Sequence, residues 1–144
     1  PKAARAKLEK DREQYLAVSA EELATEMKSL LTPVDAAALT GELAEYLVDS
    51  MRAGLAPGAQ GWWDDGCADA GPWGFELAQI TVPVLLLHGR EDKFVPFGHG
   101  EWLAARIPGV QARLLDHDGH LTLEEDHIGE VHAWLASHLD SPAG

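Results

Sequence analysis

Val84-Leu85-Leu86-Leu87-His88-Gly89-Arg90-Glu91-Asp92-Lys93-Phe94-Val95-Pro96 is the stretch on which the reading of this chain turns. It opens, after Pro83, as an unbroken apolar run. Such a run suits a strand buried on both faces of a parallel sheet, where polar and apolar residues do not alternate. It closes as Gly-x-x-Asp-x-x-Val-Pro, and Gly119-His120 follows downstream. An acid after one strand and a histidine after the next would place a carboxylate and an imidazole on rigid supports.

Working outward, the second half reads as strand, helix, strand, helix. Phe97 to Arg106 has helical spacing through Trp102, Leu103 and Ile107, and Pro108-Gly109 stops it. Ala112-Arg113-Leu114-Leu115 reads as a second short strand. Thr122 and Glu125 have capping-box spacing, and a last helix is expected to about Leu139 with Ile128, Val131, Trp134, Leu135 and Leu139 on its buried side. The order makes one right-handed crossover unit with a closing helix. Two parallel strands leave unpaired edges, so further strands are expected from another chain or from an N-terminal segment upstream of Pro1.

The first half reads as helices. Residues from about Ala3 to Leu16 are charged and alanine-rich. Ser19 and Glu22 form a capping box for a second helix to about Leu31. Thr32-Pro33 restarts the chain as a cap followed by proline at the first helical position. One helix is expected from there to Leu55, with Leu39, Leu43, Leu47 and Met51 as its apolar stripe. From Ala56 to Gly74 glycine and proline are dense, which predicts a loop-rich linker with one short helix. The boundary between the helical segment with its linker (1–70) and the strand-containing portion (71–144) follows from this change in pattern.

The 144 residues are enough for one domain. The formal net charge of -13 argues against nucleic acid and anionic membrane surfaces as partners. No apolar run approaches the ~20 residues that span a bilayer. Cys67 is the one cysteine, so no internal disulfide forms and a cytoplasmic setting is expected. The chain opens on Pro1 rather than Met, and a processed or truncated start is expected.

Trp73-Gly74-Phe75-Glu76-Leu77, Ile80-Thr81-Val82-Pro83-Val84, Gly89-Arg90-Glu91-Asp92, Val95-Pro96 and Gly119-His120 together resemble the C-terminal end of an α/β-hydrolase, and residues 1–70 resemble part of its helical cap. The resemblance implies an α/β fold, incomplete here: a cap segment, then the last strand-helix-strand-helix of the parallel sheet. It also implies that Asp92 is the catalytic acid and His120 the catalytic base, in the chain order nucleophile, acid, histidine. The chemistry has its own logic. A hydroxyl is a weak nucleophile until a base takes its proton, and imidazole does so near its unperturbed pKa of about 6.5. A carboxylate on the other ring nitrogen holds the tautomer and stabilises the imidazolium. Gly119 is expected to let the backbone turn so that His120 points across the strand ends.

The family's Gly-x-Ser-x-Gly elbow does not occur in the chain. Ser19, Ser29, Ser50, Ser137 and Ser141 have no flanking glycines at that spacing, and Cys67 has Gly66 before it but no strand leading in. The nucleophile and the oxyanion donors near it are therefore expected upstream, in a missing N-terminal half, and this chain alone is expected to be inactive. The whole protein would hydrolyse an ester or related acyl bond of a small-molecule substrate. A variant reading keeps Asp92 and His120 but uses an aspartate nucleophile, as in an epoxide hydrolase or dehalogenase. A non-enzymatic reading makes the chain a truncated binding or assembly module, self-associating through its open sheet edge.

Other residues have competing readings. Glu91 is the fallback acid, and His117 the decoy base, expected at the surface. Asp116, His117, Asp118 and His120 are rich in ligand atoms but lack metal-ligand spacing, so no metal is expected, nor any cofactor. His127, His132 and His138 are expected to be solvated. Phe94, two residues past the acid, is a candidate substrate contact. Trp62 and Trp63 are further candidates, set against the plainer expectation that they and Trp73 and Phe75 pack the helical segment.

Overall fold

A computed structural model describes residues 2–139, all but the side chain of Glu124. The described elements are helices α1 (Lys2–Ala17), α2 (Ala20–Lys28), α3 (Pro33–Ala38), α4 (Gly41–Leu55) and α5 (Gln60–Asp69), then strand β1 (Leu85–Gly89), helix α6 (Phe97–Ala104), strand β2 (Gln111–Leu115) and helix α7 (Thr122–Leu139). A turn of 3-10 helix at Leu77–Gln79 leads into β1. The chain divides into two compact units. The first comprises the residues up to Ser29 with Thr40–Phe75; the second comprises Leu30–Leu39 with the residues from Glu76 onward. The short α3 thus belongs with the strands, although it lies among the helices in sequence.

In the first unit α4 packs on α2 and α1, and α5 packs on α1. Leu23, Leu43, Ala44, Val48 and Ala59 form its buried apolar set. The Ser19–Glu22 capping box is present in full: the Ser19 hydroxyl accepts the Glu22 N–H, and the Glu22 carboxylate accepts the Ser19 N–H. Arg12 closes the C-terminal end of α4, donating to the carbonyls of Leu55 and Ala56 at 2.6 and 2.9 Å, where the last turn of a helix has carbonyls without intrahelical partners.

The single helix expected from Pro33 to Leu55 is two. Leu39 leaves the helical region with ψ 75°, and Thr40 starts α4 by accepting the Leu43 N–H on its hydroxyl. A Thr-Gly pair in the interior of an apolar stripe is a new start rather than a continuation, because threonine's hydroxyl serves a helix best at its N-terminus. The break frees α3 to join the second unit.

In the second unit β1 and β2 are parallel neighbours, in register from Leu85 opposite Gln111 to Gly89 opposite Leu115. The connection runs through α6, as parallel pairing requires. Beyond the ladder, Arg90 N–H donates to Leu115 O at 2.8 Å and Glu91 N–H to Asp118 O at 2.9 Å. The loops that leave the two strands are therefore zipped together. Gly89 is what allows it: a Cβ there would lie 2.1 Å from the Asp118 carbonyl oxygen, far inside contact distance.

The face of α7 expected to be buried is open in part. Ile128 and Leu135 are about half exposed and Leu139 is 82% exposed. None of the residues expected on that face (Ile128, Val131, Trp134, Leu135 and Leu139) is buried, because two strands are too narrow a surface to cover eighteen residues of helix. The three leucines of β1 are likewise only half-buried, and burial is complete only at His88 and Gly89.

Candidate active site

Asp92 sits in the turn after β1 and His120 in the loop after β2. His120 Nδ1 lies 2.9 Å from Asp92 Oδ2. The other carboxylate oxygen, Oδ1, accepts the backbone N–H groups of Phe94 at 2.7 Å and Val95 at 2.8 Å. The turn Asp92-Lys93-Phe94-Val95 thus folds over its own carboxylate, the local closure that short polar side chains make after strands. The Asp92 side chain is 3% exposed and that of His120 is 43% exposed. One ring nitrogen is committed to a buried carboxylate, and the half-open ring leaves the other edge accessible.

Burial is the largest single influence on the Asp92 carboxyl and pushes its pKa up. The Val95 N–H, the His120 ring, the Phe94 N–H and the positive charge that His120 can carry act in the opposite sense and together prevail, so the carboxyl lies below its ordinary value. Asp92 is accordingly an ionised acceptor near neutral pH. With Nδ1–H donated to it, Nε2 of a neutral His120 carries the free lone pair, the tautomer a general base needs.

The loop carrying His120 is held by Asp35, from α3. Asp35 is fully buried. Its Oδ2 accepts the His120 N–H at 2.8 Å, and its Oδ1 accepts the Leu121 N–H at 2.8 Å and the Thr122 N–H at 3.3 Å. Thr122, expected as the N-cap of the last helix, is its first residue; its hydroxyl accepts the Gly119 N–H at 2.7 Å instead. A carboxylate accepting at the N-terminus of an eighteen-residue helix gains from both the free N–H groups and the helix dipole, which is why Asp35 takes the place of the threonine.

Gly119 is also required for a different reason from the one expected. The glycines with positive φ among the described residues are Gly58, Gly74 and Gly109, not Gly119. What Gly119 provides is room: a Cβ there would stand 2.3 Å from both Asp35 carboxylate oxygens.

A second histidine, buried where His120 is half open, lies beside the Asp92 turn. The His88 ring, on β1, places Nε2 3.0 Å from the Val95 carbonyl oxygen and 3.9 Å from Asp92 Oδ2. Outside the dyad, Arg90 pairs with Asp116 at 2.8 Å and lies 4.1 Å over the Phe97 ring; its hydrogen bond and charge hold the Asp116 carboxyl below its ordinary value. His127, expected to be solvated, is half-buried, with Nε2 3.2 Å from Asp118 Oδ1.

Comparison with known proteins bears on the fold. The chain is 42% identical over 45 residues to a pimeloyl-(acyl-carrier protein) methyl ester esterase of Nitrosomonas europaea, covering 31% of this chain and 18% of that one. It is 32% identical over 96 residues to a 2-hydroxy-6-oxononadienedioate/2-hydroxy-6-oxononatrienedioate hydrolase of Cupriavidus pinatubonensis, covering 60% and 30%. Among solved structures, an esterase from Exiguobacterium antarcticum superposes with a TM-score of 0.56 at 18% identity, over 97% of this chain and 48% of the other.

The chain has the fold of part of an α/β-hydrolase. No family model matches it. It spans less than a third of the length of these two curated relatives and about half of the esterase, so it carries part of the hydrolase fold.

Within that fold, the residues singled out in the sequence fall into two groups. Asp92, His120 and Phe94 come together: the Phe94 ring lies 5.0 Å from that of His120. Trp62 and Trp63 have their contacts in the first unit, Trp62 edge-on to Tyr15 at 5.7 Å and Trp63 beneath the Arg5 guanidinium at 4.8 Å. Trp73 stacks on Phe75. His117 and Glu91 are exposed. Ser141 lies outside the described residues. Among those described, no group of three His, Cys, Asp or Glu side chains is arranged to hold a metal ion, and no helix is long and apolar enough to cross a membrane.

Asp35 and His88 are the residues of the candidate site that sequence reasoning missed. A polar His in an apolar strand, four residues before the acid, was a usable signal for His88. Asp35 offered none beyond being an acid in the first turn of a short helix, because its partners lie at least 85 residues away.

Proposed function

We propose that this chain supplies the acid and the base of a nucleophile–Asp–His triad that hydrolyses an ester or related acyl bond of a small molecule. The observation that carries the reading is the 2.9 Å contact between His120 Nδ1 and a buried, doubly held Asp92 carboxylate. The names of the relatives support the reaction class: one acts on a methyl ester, another is a hydrolase of an oxo-dienedioate.

In this reading a hydroxyl nucleophile from residues outside this chain approaches the open edge of His120. Nε2 takes its proton as the oxygen attacks the acyl carbon, and Asp92 stabilises the imidazolium formed on the opposite nitrogen. Nε2–H then protonates the departing alkoxide, giving the alcohol and an acyl-enzyme. Water repeats the sequence: His120 takes its proton, the hydroxide oxygen attacks the acyl carbon, and the proton returns to the nucleophile as the acid leaves. Phe94 would line the acyl or alcohol side of this path. The strands that complete the sheet, with the nucleophile and the oxyanion donors, would come from an N-terminal half of the same polypeptide or from a companion chain. The helical segment would serve as the cap.

The test is fluorophosphonate labelling, read by intact mass, with hydrolysis of p-nitrophenyl acetate. The intact protein should take one adduct outside these residues and hydrolyse the ester; the 144-residue chain alone should do neither. Turnover by the isolated chain above background would overturn the reading, as would full activity in an intact His120→Ala variant. An active intact protein that takes no adduct would replace the serine-type nucleophile by another.

A further inference from the structure

We propose that Asp35 is a positioning residue for His120, acting through the histidine's backbone. The proposal rests on the reading of His120 as the base. Asp92 determines which way the imidazole faces, but only once the main chain delivers the ring to the end of β2. Delivery is Asp35's work. Its two oxygens take three consecutive N–H groups, His120, Leu121 and Thr122. These are the residues at which the loop becomes α7, so one carboxylate sets both the backbone of His120 and the start of the helix behind it.

Three further features argue that this contact is specific rather than incidental. Asp35 is fully buried, although aspartate is among the residues least often found fully buried without a partner. Gly119 is the one residue type that permits the approach, since any Cβ would strike the carboxylate. And α3 is separated from α4 by a break at Leu39 and Thr40, which places α3 with the strands and α4 with the other helices. The helix that carries Asp35 also holds Leu31 and Leu39 buried at its ends, and α3 packs on α7.

The division of labour between the two oxygens supplies a selective test. In Asp35→Asn the amide oxygen can stay with Leu121 and Thr122 while the NH₂ group is turned toward the His120 N–H, donor against donor. The helix cap survives and the link to His120 does not. In the intact protein, kcat for p-nitrophenyl acetate should fall about 10–100-fold, the scale of a small misplacement of a reacting group, with KM nearly unchanged. The downfield His120 Nδ1–H proton resonance, the signature of its bond to Asp92, should be lost or shifted. Unchanged kcat and resonance in a folded Asp35→Asn protein, or a fall in thermal stability alone, would overturn the proposal. If the variant does not fold, the wild-type protein decides: the His120 and Leu121 amides should exchange slowly with solvent, and fast-exchanging amides there would overturn it. Loss of the Nδ1–H resonance in an intact protein whose His120→Ala variant retains activity would uphold the positioning by Asp35 and remove the catalytic reading instead.

Discussion

His88 and Asp92 are joined through Val95: the His88 Nε2–H is donated to the Val95 carbonyl at 3.0 Å, while the Val95 N–H is donated to Asp92 Oδ1 at 2.8 Å. One peptide unit on each side of Val95 therefore ties the end of β1 to the turn that holds the acid. The arrangement explains a buried imidazole in a strand of leucines. A ring at this position satisfies a carbonyl that the turn would otherwise leave without a partner, and leaving such a group unsatisfied costs about 1–3 kcal/mol.

His88→Ala should therefore destabilise the intact protein by about 1–3 kcal/mol, from the unsatisfied Val95 carbonyl alone. Chemical denaturation measures it. A change within about 0.5 kcal/mol, the range of ordinary surface substitutions, would mean that the bond to Val95 contributes nothing.

Asp92→Asn keeps an oxygen for the Phe94 and Val95 N–H groups and removes the charge facing His120. On the proposed reading kcat should fall by roughly 10⁴, the scale seen when the carboxylate of such a triad becomes an amide, while the fold survives. A loss of less than about tenfold in p-nitrophenyl acetate hydrolysis would remove Asp92 from the role of acid.

The same pair of proteins gives a pH test. The Asp92 carboxyl lies below its ordinary value in the folded protein, so the unfolded chain binds its proton first as pH falls. Its contribution to stability is whole above the unfolded aspartate pKa of about 3.9 and is lost as pH drops through the lower, folded value. The stability difference between the wild type and Asp92→Asn should be flat from neutral pH to about pH 5 and shrink below about pH 4. A difference that grows on acidification would reverse the sign of the shift.

Gly89→Ala should push β1 and the His120 loop apart, since the added Cβ meets the Asp118 carbonyl oxygen at 2.1 Å, and backbone rather than a flexible side chain must yield. Overpacking of this kind costs about 1–3 kcal/mol. Equilibrium unfolding is the measurement, and a neutral outcome would mean that the two loops are not zipped as described.

Trp62→Ala separates packing from substrate contact. The ring meets Tyr15 edge-on, and such a pair contributes about 0.5–1.5 kcal/mol beyond its buried area. The expected result is lower stability with KM for p-nitrophenyl acetate unchanged. A raised KM at unchanged stability would return Trp62 to the substrate path.

The sequence by itself determined the strand-helix-strand-helix order, the Ser19 cap, and the pairing of Asp92 with His120. Each is written locally: an apolar run of strand length, a helical period, a capping spacing, an acid and a histidine each following a strand. Parallel neighbours then bring the two loop starts together without further information. Only the tertiary structure decided that Pro33 to Leu55 is two helices, that α3 joins the strands, and that Asp35 rather than Thr122 serves the start of α7. It also changed the meaning of Gly119 from a turn to a vacancy. The reason is physical. A side chain that accepts backbone N–H groups imposes no residue type on its partners, and the space denied to a Cβ is set by whichever distant segment packs there. Neither leaves a period or a spacing in the chain, so both wait for the fold to bring residue 35 to residue 120.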